Sequence, residues 1–537
     1  MIIEKVKNFI SYNQAILVFS LLALLSIFSF VYYFIHGDIL LFGDANSRLN
    51  IARGIIDNLT PGLGQLSNVW LPLPTFLMLP FIWNNYLWHS GIAGAIISMA
   101  SYILGGIFLY KSAKILSNSS FASFGATLVY ALNINLLYLQ TTAMSEPIFI
   151  TSLIIAIYHF MIWIKDYKKI INLIYAGIAI AAASLIRYEA WAVMLSSIPA
   201  VVFYLWIKTK SYKETEGKTI LYATIATFGF IVWSIYLTAL YGDPLYWKDE
   251  YLTPSFKSSP SSTVETFRFN YTVLQAGWEY FTTVVWMNGI IPSIFALFSI
   301  PLLILNSIKK KTFYFLPFLM LLSIFAFMIL TLQRNTPINQ PVLSLSNILS
   351  ASTLKISEFN MRYGLTMLPF IALISTYLFR IRFVLVRMLL ILLLGIQIYS
   401  YINPVYSVIY QLPIGNNIEM IPAASAVNGD DMVKWFKKHY DGGLIMISAK
   451  VHNPEMLELG YDFKTYIHEG TGKYWNTSIR QPQIYASWII LDQKDSDDAV
   501  TEYLGSSPKL KEYYNLVYNK DGLKVYKIKT QPEIIIK

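Results

Sequence analysis

Stretches of about twenty apolar residues recur along this chain, each closed by a short polar loop. An α-helix needs about 20 residues to cross the hydrocarbon core of a bilayer. By that rule the pattern predicts about eleven transmembrane helices, near residues 14–36, 91–110, 119–137, 147–164, 170–186, 191–207, 219–241, 283–306, 313–333, 361–379 and 385–403. Basic residues collect in alternate loops: Lys111 and Lys114; Lys165, Lys168 and Lys169; Lys208, Lys210, Lys213 and Lys218; Lys309, Lys310 and Lys311; Arg380, Arg382 and Arg387. Loops rich in Lys and Arg stay in the cytoplasm. One alternation satisfies all of these loops. It puts the N-terminus inside and, after an odd number of spans, the C-terminal segment outside. Carboxylates then gather on the outer side: Asp38, Asp44, Asp57, Glu146, Glu189, Asp243, Asp249, Glu250, Glu265, Glu279 and Glu358.

Three outer segments are long, at 37–90, 242–282 and 334–360. In the first, Ser47–Leu59 interleaves Leu49, Ile51, Ile55, Ile56 and Leu59 with Arg48, Arg53 and Asp57, which predicts a short helix on the membrane surface. Trp70–Trp88 is apolar but carries Pro72, Pro74 and Pro80, so a broken, partly buried segment is expected rather than a straight span. Trp70, Trp83 and Trp88 read as interfacial aromatic residues. The pattern changes after a linker at 404–428. Val433–Tyr440 predicts a helix, Gly443–Ser448 and Trp488–Leu491 predict buried strands, and Leu516–Lys529 predicts a hairpin turning at Asp521-Gly522. Residues 1–403 are thus expected to form a membrane domain, and 429–537 a small extracytoplasmic α/β domain.

Composition agrees. The 537 residues are 55% hydrophobic and 13% charged, with a net charge of +10, whereas globular chains average about 25% charged residues. Most of the excess Lys and Arg flanks apolar spans, so it sets topology and gives no reason to invoke nucleic acid. There is no cysteine, which excludes disulfides, thiol catalysis and thiolate metal sites. The apolar run Ile16–Tyr33 is too long for a signal-peptide core and lacks a small-residue cleavage site, so it is expected to stay as the first span.

Four polar clusters fall at the outer ends of different spans: Gly43-Asp44-Ala45-Asn46-Ser47-Arg48, Thr141-Thr142-Ala143-Met144-Ser145-Glu146-Pro147, Arg187-Tyr188-Glu189-Ala190-Trp191 and Asn360-Met361-Arg362-Tyr363-Gly364. Ionisable groups at this depth are costly to desolvate and need partners or a job. Arginine holds phosphate oxygens by forked hydrogen bonds, while a carboxylate can take a proton from a hydroxyl. Each cluster also has a plainer reading. Asp44 would cap a helix, Glu146 before Pro147 would complement a helix N-terminus, Arg187 and Glu189 would be a local ion pair, and Arg362-Tyr363 would be an interfacial anchor. Asp38 and Asp57 read as solvated, and His36 and His89 as too isolated to form a metal site. Asp492, after a buried strand, stands where many α/β folds place a functional acid. Asn58, Asn270 and Asn476 head glycosylation-type sequons.

The run Gly43 to Arg53, with Thr60-Pro61-Gly62 and Trp70-Leu71-Pro72-Leu73-Pro74, resembles prokaryotic integral-membrane glycosyltransferases of the GT-C type. It is similar to their protein mannosyltransferase and aminoarabinose transferase branch. The resemblance continues through Thr142–Pro147, Arg187–Trp191 and Arg362–Leu365, and covers about residues 1–400. It implies a GT-C-like multi-span hexosyl- or pentosyltransferase that uses a polyprenyl- or dolichyl-phosphate sugar. Asp44 matches the catalytic acid of the first outer loop and Glu146 a second acidic position. Arg362 and Tyr363 match an Arg-Tyr element associated with the lipid phosphate. Relatives often pair two acids in the first loop, but here Ala45 follows Asp44. The Trp-Trp-Asp-Tyr-Gly motif of oligosaccharyltransferases is absent. A divalent metal (Mg or Mn) at Asp44 and Glu146 stays open.

The expectation is therefore an inverting transferase at the outer face. Asp44 acts as base, with Glu146 orienting it or a metal. Arg362, Tyr363 and Arg187 are at the donor phosphate, and Arg48 and Glu189 position substrate. The rival is a lipid or solute transporter or flippase, which predicts repeated halves and acids at mid-span; no internal repeat is visible.

Overall fold

Proline, glycine and serine punctuate the apolar runs, and the helices start and stop there. The structure, a computed structural model, describes residues 2–66, 70–247, 272–333, 361–401, 412–414, 417–419, 426–495, 497–530, 532 and 534. The expectations for Asp249, Glu250, Glu265, Asn270, Glu358 and Asn360 lie outside the described residues.

The helices run in order: α1 (Ile2–Ile35), α2 (Gly43–Ile56), α3 (Leu73–Ile82), α4 (Asn85–His89), α5 (Ile92–Ser117), α6 (Ser120–Ala131), α7 (Ile134–Leu139), α8 (Glu146–Lys165), α9 (Ile170–Ser184), α10 (Glu189–Thr209) and α11 (Tyr212–Tyr241). After the second outer segment come α12 (Val273–Asn288), α13 (Ile290–Lys310), α14 (Leu316–Gln333), α15 (Leu368–Phe379) and α16 (Val384–Ser400). Among the described residues, eight helices are long and apolar enough to cross a membrane. The expected spans at 119–137, 170–186 and 385–403 correspond to the shorter apolar helices α6, α9 and α16. The chain is a multi-pass membrane protein. Trp70–Trp88 is broken as its prolines require, into α3, with Pro80 inside it, and α4.

Helix α8 packs between α5 and α9 at the centre, while α1 and α11 turn Phe28, Leu24, Phe228 and Ile235 outward. With lipid on one side there is little hydrophobic drive between helices, so close approach depends on small residues. At Gly94 in α5, a Cβ would lie 2.5 Å from the Cα of Ala143, and at Gly105 it would lie 2.5 Å from Thr151 Oγ1. Gly94 thereby lets α5 lie against the backbone that leads into Glu146.

The C-terminal part holds α17 (Ala426–His439), α18 (Ala449–Leu459) and a small sheet. Strands β1 (Leu412–Ile414) and β2 (Asn417–Glu419) form a separate antiparallel pair within the stretch expected to be linker. The sheet contains β3 (Leu444–Met446), β4 (Tyr466–Ile467), β5 (Ala486–Asp492), β6 (Tyr514–Lys520) and β7 (Leu523–Ile528), in the order β4-β3-β5-β7-β6. β3 runs parallel to β4 and β5, and β7 antiparallel to β5 and β6. The hairpin turns at Asp521 (φ 53°) and Gly522 (φ 93°). Left-handed backbone at both positions makes a turn whose twist matches the strands.

This α/β layer covers α2 and α4. Asn50 Nδ2 donates to Asn453 Oδ1 at 2.7 Å, Asn453 Nδ2 to Ser47 Oγ at 3.0 Å, and the Phe463 N–H to Asp57 at 3.1 Å. The stretch read as a surface helix is therefore enclosed between the membrane helices and the layer. Asp57, read as solvated, also accepts from Arg53 Nε and Nη2 at 2.9 and 2.7 Å. Trp88, read as an interfacial residue, is fully buried, with the Arg53 guanidinium 4.7 Å above its ring. Trp83 is exposed. For Asp57 and Trp88 the cause is the same: a polar roof docks on this loop, and hydropathy along the chain does not reveal it.

Replacing Gly94 by alanine should overpack the α5–Ala143 contact, at a cost of about 1–3 kcal/mol. A lower melting midpoint in detergent, with less monodisperse protein, is the expected result.

Candidate active site

Three helix N-termini converge below the α/β layer. Glu146 is the first residue of α8 and Glu189 the first of α10, and Asp44 lies in the first turn of α2. Carboxylates there complement the helix dipole. The N-cap of α2 is Phe42, and no side chain caps it. Asp44 instead turns its carboxylate to Arg362, with which it forms an ion pair.

From that pair a continuous chain of charges runs inward. Arg362 Nε lies 3.3 Å from Glu146 Oε1. The same oxygen accepts from Arg187 Nη1 at 2.7 Å, and Arg187 Nε and Nη2 donate to Glu189 Oε1 at 3.0 and 2.7 Å. The Tyr363 ring lies 4.8 Å from the Arg187 guanidinium and 5.7 Å from that of Arg362. The clusters around Asp44, Glu146, Arg187–Glu189 and Arg362–Tyr363 thus form one site. Arg187 and Glu189 are a local pair, as the plainer reading had it, but Arg187 also ties that pair to Glu146.

Arg48 behaves differently from the other two arginines. Its guanidinium stacks 4.7 Å from the Trp70 ring and its side chain is buried; its Nε, like that of Arg362, has no hydrogen-bond partner among the described residues, but unlike Arg187 and Arg362 it makes no ion pair there. Burial pulls its pKa down to about 10, and the charges of Asp44 and Glu146 offset this only in part. It is a buried cation without a carboxylate in ion-pair contact among the described residues.

Access separates the acids. The Glu146 and Glu189 side chains are 0% and 5% exposed, against 36% for Asp44. Asp44 is the carboxylate a substrate can reach. Burial pushes its pKa up, but Arg362 beside it, then Arg48 and Arg187, outweigh burial and hold it below the usual carboxylate value. A metal between Asp44 and Glu146 would have to displace the Arg362 guanidinium that joins them. Among the described residues, no group of three or more His, Cys, Asp or Glu could hold a metal ion.

Further residues support the arginines, two from the Thr141–Pro147 cluster and three from a helix that carries no local sequence signal. Ser145 Oγ accepts from Arg187 at 3.3 Å, and Met144 Sδ lies 3.5 Å from Arg362 Nη1. In α12, Tyr280 Oη donates to Tyr363 O at 3.2 Å and Asn288 Nδ2 to Gly364 O at 2.9 Å. A Cβ on Gly364 would lie 2.5 Å from the Thr283 carbonyl oxygen. Tyr280, Thr283 and Asn288 together fix the segment that carries Arg362. They sit on a helix of mixed character about 80 residues away in sequence, where a buried Tyr or Asn looks like any core polar residue.

The fold has solved counterparts. The chain is similar to ArnT from Cupriavidus metallidurans bound to undecaprenyl phosphate, with a TM-score of 0.55 and 11% identity, covering 94% of this chain and 97% of that one. It is similar to the apo state of the same protein with a TM-score of 0.53, 11% identity and the same coverage. No protein-family model matches the sequence, and no curated protein matches it. The likeness gives this chain the fold of those ArnT structures over nearly its full length.

Removing one member of a buried ion pair costs about 3–5 kcal/mol, because the partner charge stays behind. Arg187→Met should therefore lower thermal stability strongly. Glu189→Gln, which can still accept from Arg187, should lower it less. A melting series in detergent checks the order.

Proposed function

We propose that this protein transfers a sugar from a polyprenyl- or dolichyl-phosphate donor to an acceptor at the outer face of the membrane, with inversion at the anomeric carbon. One observation carries the reading. Beside a half-open carboxylate, Asp44, lies a buried guanidinium, Arg48, that has no carboxylate in ion-pair contact among the described residues. A base within reach and an unsatisfied cation next to it suit a reacting hydroxyl and a leaving phosphate. The ArnT structure that holds undecaprenyl phosphate supports the donor class.

In this mechanism the donor phosphate lies between Arg48 and Arg362, with Arg187 and the Tyr363 ring behind them. The acceptor oxygen forms its bond to the anomeric carbon from the opposite side. The carbon–oxygen bond to phosphate breaks and the phosphate leaves with the electron pair. The acceptor's proton passes to Asp44. Fixed arginines stabilise the charge that develops on the leaving group, and positioning supplies much of the rest. Glu146 orients Arg362 and Arg187, and Glu189 holds Arg187. The residues present do not suit a metal, and no step uses one. A transporter would need its acids along the spans; Asp44, Glu146 and Glu189 lie in the first turns of their helices.

Asp44→Asn preserves shape and removes the base, and loss of a general base costs about 10²–10⁴ in rate. Turnover with a radiolabelled polyprenyl-phosphate sugar should fall by that factor, with donor-lipid binding nearly unchanged. Arg48→Ala should instead weaken binding of undecaprenyl phosphate. Wild-type transfer by a folded Asp44→Asn protein would sink the mechanism.

The orientation can be read separately in this cysteine-free chain. A cysteine replacing Ser506, exposed in the α/β layer, should react with an impermeant thiol reagent on intact cells. One replacing Lys213, exposed in the first turn of α11 beside the basic residues Lys208 and Lys210, should react only after lysis. The reverse pattern would put Asp44 in the cytoplasm and remove the outer-face assignment.

A further inference from the structure

A cavity of about 320 Å³ lies between the start of α2 and the C-terminal layer. Asp44 and Ser47 form its membrane-side wall, so it opens onto the proposed base. The opposite wall carries Lys450, His452, Glu455, Asp492, Asp495 and Asp497. Charge there is unbalanced. Asp44 is paired with Arg362, and Asp497 with Lys450 at 3.2 Å. His452 lies 3.6 Å from Glu455 and 3.7 Å from Asp498. Asp492 and Asp495 have no cationic side chain at ion-pair distance among the described residues. Each accepts a nearby backbone N–H, from Lys494 and Asp497 respectively, at 2.8 Å.

A second observation lies within the wall. Glu455 is 3% exposed, and its Oε2 has no hydrogen-bond partner among the described residues. A buried carboxylate oxygen beside a cavity calls for a donor. Among the described residues no group of three or more acids and histidines there could hold a metal ion, and an amine or hydroxyl can supply that donor.

We infer that this cavity admits the acceptor, and that the acceptor is a hydroxylated molecule bearing an amine. Its ammonium group is held by Asp492 and Asp495, with Glu455 taking a further hydrogen bond, while a hydroxyl reaches Asp44. The surplus of carboxylates works against a phosphorylated acceptor. This assignment rests on Asp44 being the base of the proposed transfer.

Val451 lines the same cavity, and Val451→Cys provides a single thiol there. In full-length protein in nanodiscs at low salt, a trimethylammonium-ethyl thiosulfonate should label that thiol about tenfold faster than the sulfonato-ethyl reagent, because a cleft of one sign concentrates the opposite charge. The preference should disappear with Asp492→Asn and Asp495→Asn together. It should shrink with Asp495→Asn alone, a change on a half-exposed turn that leaves the strands intact. Glucosamine should slow the labelling and glucosamine 6-phosphate should not. Once labelled, the protein should lose at least about tenfold in transfer, within the rate loss that mispositioned groups produce, and still bind undecaprenyl phosphate. Equal rates with the two reagents, or equal protection by the phosphorylated sugar, would overturn the charge assignment. Undiminished transfer after labelling would overturn the acceptor route. The labelling and protection results need no turnover. Failure of the unlabelled protein to use any polyprenyl-phosphate sugar would instead strike the proposed function.

Discussion

The structure depends on keeping three arginines and three carboxylates charged at the edge of an apolar bundle. Taking a charge out of water costs several kcal/mol, and its partners must return that cost through close, well-aligned contacts. The run Asp44–Arg362–Glu146–Arg187–Glu189 does this by sharing: one Glu146 oxygen serves two guanidiniums, and each of Arg362 and Arg187 serves two acids. The acids also take the helix dipole, since all three lie in the first turns of α2, α8 and α10. Moving one helix along its axis would leave a buried charge without its partner. The register of these helices against the Arg362 segment is therefore set by polar contacts. Apolar packing in lipid would specify it weakly.

That arrangement bears on reactivity. Held by Arg362, Asp44 is a weak base, with its pKa below the usual carboxylate value. An anion entering beside Arg48 competes for the Arg362 guanidinium and loosens its grip on Asp44. In the proposed mechanism donor binding thus raises the basicity of the group that must next take a proton. The acid stays quiet until the phosphate arrives, and the coupling runs through a single side chain. The Tyr363 ring, close to both Arg187 and Arg362, keeps the two guanidiniums in place while their anionic partners change.

Much of this was legible in the sequence, for definite physical reasons. The apolar runs marked helices because a span needs length and hydropathy, and both are local properties. Asp44, Glu146, Arg187 and Arg362 stood out because charge beside an apolar run is costly and so carries information. The hairpin at Asp521-Gly522 was readable because left-handed backbone selects those residues. What escaped was contact between distant segments. Nothing near Asp57 or Trp88 in sequence announces that Phe463 will come to lie against both. The uneven pairing of the arginines was hidden as well. Arg48 and Arg362 look alike in sequence, and only their surroundings reveal that Arg362 is shared between two acids while Arg48 has none in ion-pair contact among the described residues.

The C-terminal layer completes the logic of the site. A carboxylate and an arginine facing bulk water would be screened and solvated, and each would lose most of its effect on a reacting group. By docking on α2 through Asn50, Asn453 and Ser47, the layer roofs the end of the helix that carries Asp44 and narrows its surroundings to a cavity. Water is largely excluded from the cations below, while a polar passage to the carboxylate remains above. The two walls differ in kind. The membrane side offers three arginines against three carboxylates, with Arg48 outside any ion pair among the described residues, and the layer offers carboxylates without a cationic partner there. A site built this way separates an anionic leaving group from a cationic or neutral partner across a single acid, and Asp44 lies on that boundary.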